Sequence, residues 1–510
     1  MKLPFGRKKN QPGEAAKSSA APNVNLAATL EDSESRQPFW FIEHNAATNP
    51  DGVALAGAQR TLTNAQYLTE SKKLARVLRE RGVKPGDIVA AALTADDNFV
   101  LMGALFHEGA VGCTAPSFEN LPEWIDWVVS GTKDAPVRLG RHIRWDESLV
   151  QAISEAQPDL GPNPYGSADS PARIMFSSGT TGLPKGITYT VRILQRRAKL
   201  AKTNWIPDEP FMSLIGLGGA SGTLTAFYNL MTGSPYFCSQ PAQLPNARLL
   251  EKYEVKVVKA SPMQLDHLLR DCRESGIKLP HLRIIESAGM MMPAQLAKEL
   301  VDYFPVELRN VFGCTEAGTI TVRKGDFSDP SNMGTVLSSA EVQVVDAEHN
   351  PLPAGAEGAI RWKTADQVTA YFKLPSATME SFRDGWFYSG DEGFLSPDGQ
   401  LHLTGRTSEL LNLGGRKLNP SYLDGLVKSV PGVADAACFA FSDGTAMPQL
   451  GIAIVKNGPI DRSAVEQLFL REFQALRPAA VIMVPEIPRA GMGKVQRREL
   501  AKQVEAKLKK

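Results

Sequence analysis

The chain has 510 residues, too many for one ordinary hydrophobic core, so its length predicts two or more domains. Its net charge of +1 gives no overall field that would recruit nucleic acid or anionic lipid, so we expect neither as a partner. The longest apolar run, residues 99–112, contains His107 and Glu108 and is shorter than the ~20 residues of a membrane span, which argues against an integral membrane protein. Five scattered cysteines without a CxxC pair predict neither a disulfide framework nor a zinc site, and indicate the cytoplasm.

The predicted elements begin after a polar N-terminus. Residues 1–36 are rich in Lys, Ser, Pro and Gly and lack the apolar stretch of a secretory signal, so we expect a disordered tail. Order is predicted from Pro38. The first clear helix lies within residues 61–82, where Thr63 and Gln66 form a capping-box pattern and Gly82 ends the helical periodicity. Residues 88–93 then predict a buried strand.

Three regions follow along the chain. Apolar runs alternate with helical patterns to about residue 330, which predicts α/β layers. Residues 342–405 carry short strand-like runs between Gly, Pro and Asp, which predict a β-rich subdomain. The remainder predicts a small C-terminal α+β domain that includes a helix over 462–476, with Ser463 and Glu466 as its capping box. We therefore expect a large N-terminal domain over 37–405 and a small one over 406–510.

One polar loop stands out behind the apolar run 174–176. The stretch "SSGTTGLPKG" (177–186) combines hydroxyls, glycines and one lysine. Glycines let the backbone N–H groups approach an anion closely, and Lys185 adds a positive charge. The loop is not a Walker A motif, because GxxxxGK[ST] is absent. It predicts a phosphate cradle, and the alternative is an ordinary surface loop.

The loop matches residue for residue the phosphate-loop pattern [ST]SG[ST]TGxPKG of the adenylate-forming enzymes, which include AMP-forming acyl-CoA synthetases, adenylation domains of peptide synthetases and luciferases. Four further stretches resemble motifs of this family in the same order: "FGCTEAG" (312–318), "GWFYSGDEG" (385–393), "LTGRTSELLNLGGRKLNP" (403–420) and "PRAGMGKVQRREL" (488–500). The chain is thus identified as resembling the acyl-CoA synthetase type, with residues 37–405 as the AMP-binding domain and 406–510 as a mobile lid.

The resemblance implies a site for ATP and Mg²⁺. The implied ATP-binding residues are Ser177, Ser178, Gly179, Thr180, Thr181, Gly182, Lys185, Gly289, Phe312, Gly313, Thr315, Asp391, Arg406 and Lys494. Phe312 offers an aromatic face to adenine and Asp391 accepts hydrogen bonds from the ribose hydroxyls. Glu316, with Thr181, is the implied Mg²⁺ ligand, since this cation prefers oxygen. Lys494, Thr315, Glu316 and Lys185 are the implied catalytic residues.

The resemblance also implies two sites for the acyl group and its acceptor. The implied acyl-pocket residues are Gly219, Ser221, Gly222, Ser287, Met290 and Gly318, and the implied CoA-side residues are Gly414, Gly415, Arg416 and Lys417. The methionines beside Ser287 suit a pliable apolar pocket and suit core filling equally well. The glycines of "GLGGASG" either make room for a bulky acyl group or shape a turn.

Three positions depart from the family pattern. The hinge Asp or Lys is Ser408, the Glu expected at 422 is Tyr422, and the His of the acyl-pocket segment is Gly219. The motif residues implied for forming acyl-AMP are therefore intact, whereas residues implied for the second step and for the acyl pocket are altered. We expect an acid and ATP to give acyl-AMP and pyrophosphate, and the acyl group to pass to CoA. The alternatives are transfer to an amine or to a carrier-protein thiol, and a non-catalytic nucleotide- and acyl-binding homologue.

Overall fold

The fold is taken from a computed structural model that describes most of the chain. The described residues are 34, 36–57, 60–114, 121–131, 141–158, 161, 166–177, 185–204, 210–238, 246–406, 411–413, 416–418, 420–443, 448–473, 477–490 and 494–508. Among them, no helix is both long enough and apolar enough to cross a membrane.

The first part of the chain forms a six-stranded sheet with helices packed on it. Its helices are α1 (Pro38–Thr48), α2 (Asn64–Glu80), α3 (Ala95–Glu108), α4 (Glu147–Glu155) and α5 (Val191–Asn204). Its strands are β1 (Val53–Ala56), β2 (Thr61–Thr63), β3 (Ile88–Ala92), β4 (Val111–Thr114), β5 (Trp127–Ser130), β6 (His142–Arg144), β7 (Pro171–Ser177) and β8 (Lys185–Thr190). The strand order is β6-β5-β3-β4-β7-β8, parallel except for the antiparallel pair β7–β8.

The middle of the chain supplies the parallel half of a second sheet. Its helices are α6 (Ala220–Thr232), α7 (Asn246–Lys252), α8 (Pro262–Ser275) and α9 (Ala294–Tyr303). Its strands are β9 (Phe211–Ser213), β10 (Tyr236–Phe237), β11 (Val257–Ala260), β12 (Ile284–Ala288) and β13 (Glu307–Cys314). Strands β9, β11, β12 and β13 are parallel neighbours in that spatial order, whereas β10 joins β1 and β2 in a separate small sheet.

The second sheet continues as an antiparallel half. The added elements are β14 (Gly318–Lys324), β15 (Asn332–Val336), β16 (Ala340–Val345), β17 (Gly358–Thr364), α10 (Pro375–Ser381), β18 (Phe382–Arg383), β19 (Trp386–Leu395) and β20 (Gln400–Arg406). The full order is β16-β17-β19-β20-β15-β14-β13-β12-β11-β9, with β18 beside β19. This region is the β-rich part predicted for residues 342–405, and it is continuous with the α/β layer because β14 pairs with β13.

The C-terminal part has its own small core. Its elements are β21 (Leu411–Leu413), β22 (Arg416–Leu418), α11 (Pro420–Lys428), β23 (Val433–Phe441), β24 (Gln449–Lys456), α12 (Arg462–Phe473), β25 (Ala480–Met483), β26 (Arg489–Ala490), β27 (Lys494–Val495) and α13 (Arg497–Leu508). Leu423, Ile452 and Phe469 are fully buried in one apolar cluster of this part. The mixed α/β fold class with a separate C-terminal unit is therefore confirmed.

Two local predictions about helix starts have different outcomes. At α2 the capping box is present, because Thr63 accepts from the backbone of Gln66 while the Gln66 side chain accepts from the backbone of Thr63. At α12 the predicted capping box was wrong. Asp461 precedes the helix and accepts from both the backbone and the hydroxyl of Ser463. The carboxylate of Asp461 takes the capping position, so Ser463 lies inside the helix rather than at its start.

The parallel strands of the second sheet are covered on both faces, so only their ends carry exposed chemistry. Val258, Ile285 and Leu308 pack with helices α8 and α9 in one core. On the opposite face, Phe211 and Val257 belong to the larger core shared with the first part of the chain. Parallel sheets buried in this way place their ligands at the carboxyl ends of the strands.

Candidate active site

A large cleft opens at the carboxyl ends of β11, β12 and β13. Its volume is about 3140 Å³, and its walls come from both sheets and from the C-terminal part. The described site residues that line it are Lys185, Gly219, Ser221, Gly289, Met290, Phe312, Gly313, Thr315, Glu316, Gly318, Asp391 and Arg406. The fold thus brings predicted residues separated by more than 200 positions to one cleft.

The predicted phosphate loop joins the two strands of a hairpin. Backbone pairing places Ser177, the last residue of β7, opposite Lys185, the first residue of β8. Ser178, Gly179, Thr180, Thr181 and Gly182 lie outside the described residues, as does the side chain of Ser177. The ammonium of Lys185 lies 4.6 Å from the ring centroid of Tyr371, a cation–π contact that directs it into the cleft.

The turn between β13 and β14 carries Thr315 and Glu316 and is fixed from behind by a buried arginine. The guanidinium of Arg197, on α5, donates to the carbonyl of Thr315 at 2.8 Å and to that of Glu316 at 2.7 Å. The Tyr189 hydroxyl also donates to the Thr315 carbonyl, at 2.7 Å. Burial raises the pKa of Tyr189 to about 12, so its phenol remains a donor at neutral pH. These bonds hold the turn in place before any ligand binds.

The carboxylate of Glu316 is buried and oriented by a tyrosine. The hydroxyl of Tyr371 donates to Oε1 of Glu316 at 2.9 Å. Burial and the nearby Glu316 carboxylate raise the pKa of Tyr371 well above its usual range. Mg²⁺ is usually held by one or two protein carboxylates together with substrate phosphates and water. One oriented carboxylate beside Lys185 fits that pattern. Among the described residues, no group of three or more acidic, His or Cys side chains is placed to hold a metal ion by itself.

Phe312, the residue predicted to face adenine, lines the cleft together with Gly289 and Met290. The half-buried Phe312 ring meets buried Trp362 edge-on, with centroids 5.6 Å apart. Gly289 has φ of +89°, which turns the chain directly after β12. At Gly313 a Cβ would lie 2.1 Å from the carbonyl oxygen of Gly318, so this close pairing of β13 and β14 requires glycine.

Asp391 is a buried acidic residue that lines the cleft. It faces Arg406 across the β19–β20 pair, and Oδ1 accepts from Nε of Arg406 at 2.6 Å. The carboxylate is buried, yet Oδ2 has no hydrogen-bond partner among the described residues. A buried acceptor without a partner costs free energy unless a ligand satisfies it. The ribose hydroxyls of a nucleotide would supply such donors.

The predicted acyl-pocket residues divide into two groups. Gly219 and Ser221 begin helix α6 and line the cleft, as do Met290 and Gly318. Gly222 and Ser287 are buried and do not line it. A Cβ at Gly222 would lie 2.1 Å from the carbonyl oxygen of Gly216, so Gly222 shapes the turn before α6 rather than making room for an acyl group.

The remaining predicted residues belong to the C-terminal part. Lys494 begins the short strand β27 and pairs through its backbone with Ala490. Arg416 and Lys417 pair through their backbones with Leu413 and Asn412. The side chains of these three predicted residues, all of Gly414 and Gly415, and the departure at Ser408 lie outside the described residues. Tyr422, the other departure, is 49% exposed and lines the cleft.

Sequence reasoning missed the residues that position Glu316. Tyr371 is 55 residues from Glu316 and reaches it only because the strands between them fold back into one sheet. Arg197 lies on helix α5, whose pattern is that of an ordinary amphipathic helix. No local spacing links these residues to the motifs.

Comparison with curated proteins extends the likeness over most of the chain. The family described as AMP-binding enzyme matches residues 128–372. The chain is 26% identical to 4-chlorobenzoate–CoA ligase from Arthrobacter sp, covering 91% of this chain and 95% of that protein. It is 25% identical to 4-coumarate–CoA ligase 4 from Arabidopsis thaliana, covering 88% and 87%. It is 24% identical to the fatty acid–[acyl-carrier-protein] ligase ScoC from Streptomyces coeruleorubidus, covering 89% and 94%.

Solved structures share the fold over the same extent. ATP-bound MatB from Rhodopseudomonas palustris superposes with a TM-score of 0.78 at 23% identity, covering 92% of this chain and 99% of that one. O-succinylbenzoate coenzyme A synthetase from Bacillus subtilis, in complex with AMP, gives 0.78 at 22% identity, covering 90% and 97%. Described residues from all five motifs line one cleft, and the chain is similar to AMP-binding enzymes over residues 128–372 and to acid–CoA ligases over most of its length.

Proposed function

We propose that this chain activates a carboxylic acid with ATP and then transfers the acyl group to CoA. In the first step a carboxylate oxygen forms a bond to the α-phosphorus of ATP, and the bond from that phosphorus to the bridging oxygen breaks, releasing pyrophosphate. In the second step the CoA sulfur, as the thiolate, attacks the acyl carbon and AMP leaves. The observation that carries the proposal is the convergence of Lys185, Glu316 and the Asp391–Arg406 pair on one cleft.

Each of these groups has a distinct task in the proposed first step. Lys185 neutralises the charge of the β- and γ-phosphates, which collects on pyrophosphate as it leaves. Asp391 accepts hydrogen bonds from the ribose and so fixes the nucleotide relative to the acid. Arg406, which already pairs with Asp391, reaches the ribose and phosphate from the same edge. Preformed groups of this kind lower the barrier because they need no reorganisation during the reaction.

Glu316 is the residue that would hold Mg²⁺, with Thr181 from the phosphate loop. The cation supplies neutralisation of phosphate charge when bound. The protein's own contribution is to orient the Glu316 carboxylate through Tyr371 and to fix the backbone of its turn through Arg197. Lys494 is proposed to bridge the carboxylate and the α-phosphate when the C-terminal part closes on the cleft.

Two molecules are candidates for the acceptor of the acyl group. CoA is named as the acceptor of several relatives, which favours CoA here. The similarity to a fatty acid–[acyl-carrier-protein] ligase, together with Tyr422 in place of glutamate, favours a carrier-protein thiol as the second candidate. We also assign the chain to the cytoplasm, because all five cysteines are described and all are free thiols.

The test is a screen for pyrophosphate release with ATP, Mg²⁺ and a panel of fatty, aryl and amino acids, each with and without CoA. We expect at least one acid to support release, and mass spectrometry to find acyl-CoA and AMP in equal amounts. Lys185→Ala should use ATP less well than the wild type while its melting temperature stays unchanged. The dependence of pyrophosphate release on ATP concentration measures this. Accumulation of acyl-AMP despite CoA would favour the second acceptor. If no acid supports pyrophosphate release, the proposed activity is contradicted. The alternative that remains is a non-catalytic nucleotide-binding homologue.

A further inference from the structure

A buried arginine contacts the glycine-rich turn that precedes helix α6, at the predicted acyl pocket. The turn spans residues 216–219, and a backbone hydrogen bond of 3.1 Å between its first and last residues closes it. Its three glycines line the cleft, whereas the side chain of Leu217 is buried. The carbonyl oxygen of Leu217 accepts a hydrogen bond from Nη2 of Arg173 at 3.1 Å. A side chain from outside the turn therefore holds its backbone.

The same guanidinium contacts two threonines on either side of the turn. Nη2 of Arg173 also donates to the hydroxyl of Thr114, at the end of β4, over 3.1 Å. Nε donates to the hydroxyl of Thr223, on α6, over 3.2 Å. The Thr223 hydroxyl in turn donates to the Leu217 carbonyl at 2.9 Å. Arg173 and Thr223 thus bond to each other and to the same carbonyl of the turn.

Arg173 connects the two large sheets. It belongs to β7 of the first sheet, whereas the turn follows β9 of the second sheet. Four residues after Arg173, the same strand ends at Ser177, where the predicted phosphate loop begins. At about 3.3 Å per residue, Arg173 and Ser177 lie about 13 Å apart along the strand. One strand therefore bonds to the predicted acyl pocket and also carries the predicted phosphate loop.

The position between the sheets is a costly one for an arginine. Arg173 is only 2% exposed, and a charge moved from water into the interior carries a penalty that its hydrogen bonds must offset. The neighbouring strand leaves room for the side chain, because a Cβ on Gly112 of β4 would lie 2.9 Å from Nη1. An apolar residue would fill this space without the penalty. The guanidinium adds directed hydrogen bonds to the turn, which an apolar residue lacks.

We propose that Arg173 is a positioning residue, which fixes the glycine-rich turn so that the acid is held at the correct distance from the nucleotide. The inference rests on the proposed function, since it concerns how the acid is placed in the same cleft. A turn with three glycines has little conformational preference of its own, so its shape must be imposed by its neighbours. That shape matters for the rate, because a displacement of about 1 Å between reacting groups can cost about 10²-fold.

The first experiment removes one hydroxyl and changes no charge. Thr223→Val keeps the shape of the side chain but loses its hydrogen bonds to Arg173 and to the Leu217 carbonyl. With the best acid of the screen, we expect the KM for the acid to rise about 10- to 100-fold, the range for a hydrogen bond to a charged group, and the KM for ATP to stay at its wild-type value. Pyrophosphate release with one substrate varied at a time gives both constants.

The matched control is Thr232→Val, which makes the same change near the end of the same helix. The Thr232 hydroxyl bonds to the carbonyl of Tyr228 in the preceding turn of α6. We expect this variant to leave both KM values unchanged. A purely structural role of Thr223 would lower the melting temperature without raising the KM for the acid alone, so the comparison of the two KM values separates positioning from packing.

The second experiment replaces the guanidinium. Arg173→Met should raise the KM for the acid and leave the KM for ATP unchanged. The double variant Arg173→Met/Thr223→Val should lose less than the two single losses combined, because both side chains act on one carbonyl. An unchanged KM for the acid in the folded variants, or an equal rise in both KM values, would overturn the inference. If the arginine variants do not fold, Thr223→Val decides. Absence of release by the wild type with every acid would instead contradict the proposed function.

Discussion

Tyr371 joins two charged groups of the cleft that belong to different motifs. Its hydroxyl donates to the Glu316 carboxylate, and its ring carries the ammonium of Lys185 on one face. The raised pKa of Tyr371 means that folding favours the protonated phenol. Any contribution of this hydroxyl to stability is therefore complete below the ordinary tyrosine pKa of about 10 and decreases only as the pH rises toward the raised value. Orientation of Glu316 should persist across the whole physiological pH range.

Removal of the Tyr371 hydroxyl tests whether it orients Glu316. Tyr371→Phe keeps the ring beneath Lys185 but leaves Glu316 without its donor. We expect pyrophosphate release to fall about 10- to 100-fold, with the Mg²⁺ concentration needed for half-maximal rate raised, because a hydrogen bond to a buried charged group is lost. The control is Tyr303→Phe, whose hydroxyl bonds to the carbonyls of Cys272 and Ile277 away from Glu316. Equal rates in Tyr371→Phe and wild type would show that Glu316 needs no orientation.

Asp391 gives a test that reads the nucleotide directly. Its Oδ2 has no hydrogen-bond partner in the part of the chain that the structure describes and is expected to bind a ribose hydroxyl, so the wild-type chain should prefer ATP over 2′-deoxyATP or 3′-deoxyATP. In Asp391→Asn the amide replaces one acceptor oxygen with a donor, and this preference should shrink by about tenfold. Initial rates at varied nucleotide concentration measure it. If the variant discriminates as well as the wild type does, another residue reads the ribose.

At the level of elements, much of the fold is predictable because its signals are local. Alternating apolar runs predict the strands, and the Thr63–Gln66 pattern predicts the start of α2, since a capping box needs only four residues. Sheet order is not local. Nothing in the sequence near Thr315 indicates that Arg197 will bind the carbonyls of that turn, because the contact depends on how α5 packs against a strand more than 100 residues away.

The dependence on contacts between distant residues also limits what the sequence predicts about the candidate site. Lys185 was predicted from the chemistry of its loop, whereas Glu316 and Asp391 were predicted from the resemblance of their stretches to family motifs. Tyr371 was not predicted, since an isolated tyrosine has no pattern of its own. The misassigned cap at α12 has a different cause. Asp461 and Ser463 both suit a cap, and the choice between them depends on where the helix begins.

The capping box of α2 allows a test at this scale. Thr63→Ala removes the acceptor for the backbone of Gln66 and should cost about 0.5–2 kcal/mol of stability. Kinetic constants should be unchanged, because α2 contributes no residue to the cleft. The urea midpoint of unfolding measures the loss. Thr69→Ala is the control, as this exposed residue lies inside the same helix and its hydroxyl bonds only to the preceding turn. If both variants lose a similar amount of stability, the capping box of α2 has no special role.

At the scale of the whole molecule, the cleft has walls from two separately packed parts. The C-terminal part contributes Tyr422 and Arg489 to it, while its own core is built around β23 and β24. A part with a separate core can change its orientation without unfolding. We propose that one orientation brings Lys494 to the acid and α-phosphate, and that another presents the segment 414–417 to CoA.

This two-orientation proposal predicts opposite defects for two variants. Lys494→Ala should slow formation of acyl-AMP by about 10²–10³, the usual cost of losing one preorganised donor, yet spare transfer from synthetic acyl-AMP. Gly415→Leu should spare acyl-AMP formation and impair transfer, because the larger side chain would crowd the CoA side. Pyrophosphate release and acyl-CoA formation from synthetic acyl-AMP measure the two steps separately. If both variants damage both steps equally while remaining folded, a single closed arrangement must serve the whole reaction.

The contact between Phe312 and Trp362 gives the molecule a built-in optical reporter. Trp362 is fully buried, its indole nitrogen has no hydrogen-bond partner among the described residues, and its ring touches the aromatic side chain expected to face adenine. An indole in such dry surroundings emits at short wavelength, and its quantum yield responds to small changes in a neighbouring ring. Nucleotide docking should therefore be visible in the intrinsic fluorescence of the unlabelled protein, with Trp362→Phe identifying the contribution of this indole among the seven tryptophans of the chain.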